Sequence, residues 1–191
     1  MSFKKNKTKT FFQIFSLFLI IFGILFLLSF ITTSNKDLKL TGYVGGIPPS
    51  QCSGTGTCDI NECGTLNING MTYKLTQDLV GDGTNTCFNV NAPNTILDCQ
   101  GHSITNVDTG IFANTGVANA GGTTIQDCNI IATRHAIYLH HQSHGYNISR
   151  CNLITTNGNT QTLVLACNSS VVDSNIIAKG NNSWCVYMFL Y

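Results

Sequence analysis

Charge and proline are both scarce in this chain of 191 residues: Asp, Glu, Lys and Arg make up 10% and proline occurs three times. The few cations form no basic stripe, which argues against a nucleic-acid partner. After residue 32 no apolar run holds a 3.6-residue spacing long enough for an amphipathic helix. Phosphate-cradling glycine loops, HExxH and G-x-S-x-G are missing, and with them the simplest signatures of nucleotide, zinc-protease and serine-hydrolase chemistry. One tryptophan and six tyrosines are too few to mark a sugar platform.

What is abundant is segregated. Lys4, Lys5, Lys7 and Lys9 precede FFQIFSLFLIIFGILFLLSFI, an uncharged run from Phe11 to Ile31. At ~1.5 Å per residue such a helix covers roughly 30 Å, the thickness of a bilayer core. SFITTSN, which follows, offers no small-residue cleavage pattern, so the expected element is an uncleaved signal anchor over residues 11–32 rather than a removed secretory signal. The lysines place residues 1–10 in the cytoplasm and everything after the span outside. Beyond the span stand six basic and nine acidic residues, a balance of 6 − 9 = −3.

All nine cysteines follow the membrane run, as expected of an exported chain. Asn-x-Ser sequons at Asn147, Asn168 and Asn181 lie on the same side and are candidate glycosylation sites. Residues 33–62, rich in Gly, Pro, Ser and Thr, read as an extracellular linker, tightened by a short loop between Cys52 and Cys58. From Cys63 onward short apolar runs alternate with turn residues, which predicts an all-β domain over 63–191 built of strands three to five residues long.

Within that domain one block recurs at an offset of 23 residues: TIQDCNIIA from 124, NISRCNLIT from 147 and SVVDSNIIA from 170. If each unit is one turn of a coil, equivalent residues stack at about 4.8 Å. Asn129, Asn152 and Asn175 then form a structural ladder at a corner whose left-handed backbone asparagine tolerates. Too few leucines are fixed for a leucine-rich repeat, and 23 is no multiple of six, as hexapeptide solenoids require. The chain ends in the apolar run CVYMFLY without a polar cap, so the solenoid is expected to be incomplete at its C-terminal end.

The stretch NAPNTILDCQGHSITN, from 91 to 106, with the repeats after it resembles right-handed parallel β-helix proteins of the pectate-lyase-like superfold. The resemblance is to repeat-containing surface proteins with a Tyr-x-Leu-Thr strand, here from Tyr73 to Thr76, and a Leu-Asp-Cys-x-Gly-His corner, here from Leu97 to His102. It implies the fold of residues 63–191 and says little about activity, because that superfold hosts lyases, hydrolases, epimerases, adhesins and structural shells.

Two residues before the Asn ladder, Asp127, Arg150 and Asp173 occupy matching positions, with Asp98 read as their predecessor. They read first as a charge ladder at a turn, and as the alternative they are the candidate catalytic groups of a polysaccharide lyase or glycosidase. His135, His140, His141 and His144 are dense, yet their spacing matches no zinc motif, and neither metal nor cofactor is assigned. Cys63 and Cys87 are the leading disulfide pair; Cys99, Cys128 and Cys151 read as stacked free thiols continued by Ser174. The expected function is a membrane-anchored, non-enzymatic surface or adhesin-like module that meets polysaccharide or surface-protein partners; the alternative is the lyase or glycosidase.

Overall fold

The computed structural model describes residues 46–113, 121–140 and 144–188. The expected tail, membrane segment and first part of the linker lie outside these residues, as do His141 and the last three positions. Among the described residues no helix is long and apolar enough to cross a membrane.

The described residues form an all-β parallel solenoid of about five turns. Its first coil holds β1 (Thr57–Ile60) and β2 (Gly64–Leu66). The second holds β3 (Thr72–Leu75), β4 (Leu79–Val80) and β5 (Thr86–Val90); the third β6 (Ile96–Asp98) and β7 (Ser103–Ala113); the fourth β8 (Thr124–Gln126) and β9 (Asn129–Leu139). β10 (Asn147–Ser149), β11 (Asn152–Thr155) and β12 (Gln161–Leu165) make the fifth, and β13 (Ser170–Val172), β14 (Asn175–Ala178) and β15 (Trp184–Met188) lie over them.

One wall is the six-stranded parallel sheet β1-β3-β6-β8-β10-β13. The rest of each coil forms a second and a third wall. β7 and β9 run 11 residues and serve both, with register irregularities between Thr105 and Thr109 where β7 bends. This departs from the expected strands of three to five residues: a coil without Gly or Pro at the bend keeps its ladder hydrogen bonds and stays one strand.

Alternation along each strand sends every second side chain inward. Tyr73, Leu97, Ile125 and Ile148 stack from the first wall, Ile104, Ile130 and Leu153 from the second, and Phe88, Ile111, Ile137 and Leu163 from the third. All are completely buried. Each coil therefore covers the apolar interior of its neighbour, which is why the unit must recur.

One boundary is corrected. The segment expected as a linker to residue 62 already contains β1, whose Ile60 is fully buried and bridged by Ile47. A 3₁₀ turn at Pro49–Gln51 and the Cys52–Cys58 disulfide close this first coil. Its turn-rich sequence hides the strand because a parallel edge needs only two inward apolar residues.

The corner residue also differs. Left-handed backbone falls on Gln100, Asp127, Arg150 and Asp173, with φ of 51°, 54°, 53° and 50°, and not on the ladder asparagines, which open β9, β11 and β14. The corner bends before the ladder because an Asn that stacks its amide on the next coil must itself be in strand conformation.

Candidate functional site

The charged corner joins the first wall to the second. Arg150 grips Asp127 with two hydrogen bonds, Nε to Oδ1 at 2.7 Å and a terminal nitrogen to Oδ2 at 2.7 Å. Asp173 occupies the same corner one coil further on. Asp98 does not precede them: it registers with Gln126, because the corner after β6 spans residues 99–102 where the later ones need only 127–128 and 150–151. Counting back from the Asn ladder therefore fails in that coil.

The hydrogen bonds from Arg150 hold the Asp127 carboxyl below its ordinary range, against a small opposing effect of burial, and its charge adds to them. The same bonds raise the guanidinium of Arg150 above its own ordinary value, with the charges of Asp127 and, more weakly, Asp98 contributing. A glycosidase acid needs a raised carboxyl pKa, and a lyase base needs an accessible lone pair. The lowered Asp127 does not suit the acid role and the protonated Arg150 does not suit the base role, and only a shallow depression of about 440 Å³ lies over them. Arg150→Ala is expected to lower the melting temperature, and Arg150→Gly to lower it less, since glycine adopts the left-handed corner freely while both lose the ion pair. Equal losses in a thermal scan would leave the backbone out of the account.

The ladder beside this corner is continuous. Asn129 donates through Nδ2 to Ser103 Oγ at 2.9 Å, Asn152 to Asn129 Oδ1 at 2.8 Å and Asn175 to Asn152 Oδ1 at 3.0 Å. These side chains are spent on one another.

Between the charges and the ladder runs the cysteine column, and here the expectation of stacked free thiols fails. Cys99 and Cys128 are joined across adjacent coils with Cα atoms 4.8 Å apart. Strand spacing itself falls within the range of about 4.4–6.8 Å that a disulfide spans, so stacking permits the bond. Cys151, next in the column, is a buried free thiol whose Sγ donates to Ser149 O at 3.2 Å and lies 3.8 Å from Ile125 O. Burial pushes its thiol up, which keeps it protonated. Cys63 and Cys87 are joined as a third disulfide.

That third bond floors a depression of about 630 Å³ that sequence reasoning missed, because its polar residues Asn61, Gln77, Asp78, Asp82 and Asn85 come from two coils. Two of its acids, Asp78 and Asp82, are engaged locally. Asp78 accepts from the Ser103 backbone N–H at 2.8 Å and pairs with His102 Nδ1 at 3.3 Å. Asp82 accepts from the Thr84 backbone and hydroxyl at 2.9 Å each and from Asn85 Nδ2 at 2.7 Å, and the Thr84 bonds hold its pKa down.

The histidines do not converge. His135 is buried, with Nδ1 2.7 Å from Gln161 O, and its ring lies 5.0 Å from that of Tyr138, which has the ring of His140 6.5 Å away. His144 is exposed. Among the described residues no three His, Cys, Asp or Glu side chains gather as a metal site. Burial is the main cause that lowers the His135 pKa; Arg134 adds to it, and the Gln161 bond and Asp108 oppose it. A folded-state value below the unfolded 6.5 means that the unfolded chain binds the proton first as pH falls. Stability is thus complete above that value and lost progressively below it, and His135→Gln should flatten melting temperature between neutral and mildly acidic pH. A slope unchanged in the variant would assign it elsewhere.

Of the sequons, Asn147 is exposed on β10, where its Oδ1 accepts from Ser170 Oγ at 2.7 Å. Asn168, at φ 55°, and Asn181 lie in the turns before β13 and β15. No protein-family model matches this chain, nor does any curated protein or solved structure.

Proposed function

We propose that this is a non-enzymatic, membrane-anchored surface module: a right-handed, pectate-lyase-like β-helix held outside the cell by residues 11–32, whose flat polar flanks meet glycans or neighbouring proteins. Parallel crossovers are right-handed in about 98% of cases, which supports the hand. The export signals support the location: a basic tail, an apolar span and a cysteine-bearing, disulfide-stapled ectodomain. The sequons fit glycosylation at Asn147, Asn168 and Asn181.

The observation that carries the non-enzymatic reading is the Asp127–Arg150 pair, a carboxylate held ionised and a guanidinium committed to it. The test incubates the purified full chain in detergent, its β-rich circular dichroism verified, with acidic and neutral polysaccharides. Reducing ends and unsaturated products are assayed beside an Asp127/Arg150/Asp173 triple alanine variant. No turnover is expected; turnover abolished in a folded triple variant would make the corner a lyase or glycosidase site. Protease treatment of intact cells should digest the domain, and full protection would overturn the external location.

A further inference from the structure

Trp184, the chain's single tryptophan, opens β15 and is 55% exposed. Its indole lies nearly parallel to the ring of Tyr187, with centroids 5.6 Å apart and planes 9° apart. A ring held this way has one face backed and fixed in orientation, which lowers the entropy cost of using the other.

The indole also walls a depression of about 460 Å³ together with Asn159, Thr160, Gln161 and Asn182. Asn159 and Asn182 are corner residues one coil apart, both exposed and both left-handed, with φ of 56° and 55°. Gln161 registers directly beside Trp184 across the β12–β15 ladder. Thr160 is 6% exposed, and its hydroxyl is committed to Asn157 O, at 3.0 Å, and to neighbouring hydroxyls, so it forms the wall rather than a contact. The lining therefore offers one flat aromatic surface and three carboxamides, each able both to donate and to accept, and no charged group.

That combination selects a ligand class. A pyranose presents an apolar C–H face to stack on a ring and a rim of hydroxyls that donate and accept. A uronate would bring a carboxylate that finds no cation here, and nucleic acid would need basic residues that the lining lacks. Proline-rich peptides dock in grooves lined by several aromatics, whereas this depression has one.

We infer that Trp184, Asn159, Gln161 and Asn182 form a binding site for a neutral saccharide chain. The inference rests on the reading of this domain as a glycan-contacting module and names the place and class of that contact. It lies away from the charged corner.

Because no other tryptophan is present, intrinsic fluorescence reports on this position alone. The full chain, in a detergent without a sugar headgroup, is titrated with cello-, manno- and chito-oligosaccharides, with oligogalacturonate as the acidic control and a polyproline peptide as the protein-like one. Binding is scored in parallel by calorimetry. At least one neutral oligosaccharide should give a saturable shift in emission, with little response to the acidic one. Trp184→Ala should weaken calorimetric binding on the order of tenfold, the scale of losing one aromatic stacking partner. Trp184→Phe should restore part of it, and Asn159→Gly/Asn182→Gly, which keeps the left-handed corners free of strain, should weaken binding while leaving circular dichroism unchanged.

Saturation by polyproline in place of sugar would overturn the saccharide assignment and make the site a peptide dock. Saccharide binding with an unmoved tryptophan signal, undiminished in Trp184→Ala, would overturn the site alone and leave the surface-module reading standing. Absence of binding to every saccharide would overturn this inference and also remove the glycan half of that reading.

Discussion

Ile130→Ala is expected to destabilise the domain by about 2–5 kcal/mol, while Ile131→Ala, one residue along, should cost about 1 kcal/mol or less. Ile130 is completely buried and stacks between Ile104 and Leu153 in the inner row. Ile131 points to the other side of the same strand and is only half-buried. Truncating Ile130 leaves a cavity that neighbouring coils cannot collapse into, because ladder hydrogen bonds on both sides fix the spacing. Urea unfolding of the full chain in detergent measures both. Equal costs would mean that the strand is not read with a period of two and that the inner row is misplaced.

The second large effect is an asymmetry between the two halves of one disulfide. Cys128→Ser should remove the Cys99–Cys128 staple outright, at about 2–5 kcal/mol. The remaining thiols, Cys99 and Cys151, stand two coils apart, or about 9.5 Å, beyond the reach of a disulfide. Cys99→Ser should be milder. It frees Cys128 beside Cys151, whose sulfur already leans toward Ile125 O in the coil of Cys128. In an oxidising compartment these two should pair, so the number of disulfides is kept and the staple moves one coil along. Thiol counting and non-reducing peptide mapping distinguish the outcomes. A Cys99→Ser chain with a free Cys128, as unstable as Cys128→Ser, would show that the column is not interchangeable.

The legible part of this fold is the part with an unbroken period. From β8 through β10 to β13 the offset stays at 23 residues, and the stacking of Ile125, Ile148 and Val171 can be counted off the sequence. Earlier coils differ in length by amounts that no local signal announces. Thr57 registers with Thr72, 15 positions on, which is why β1 hides in a turn-rich stretch, and Ile96 registers with Thr124, 28 positions on, which is why Asp98 is misplaced by counting. The Cys99–Cys128 bond is missed for a different reason: both cysteines are placed in one column, but stacking is read as free thiols although the 4.8 Å between their Cα atoms suits a disulfide. Local chemistry misleads at the corner as well: asparagine tolerates left-handed backbone, yet the ladder claims the asparagines, and the bend passes to Asp127, Arg150 and Asp173. The depression at Trp184 was illegible because its parts, Asn159, Gln161 and Asn182, lie on two coils and resemble ordinary turn residues.

The constant offset of the later coils makes them interchangeable cassettes. Duplicating residues 147–169 in frame would add one coil that meets the same apolar rows, amide ladder and corner on either side. Each such copy would lengthen the domain by about 4.8 Å without disturbing what lies above or below it. The length of the solenoid would thereby scale with the number of such cassettes.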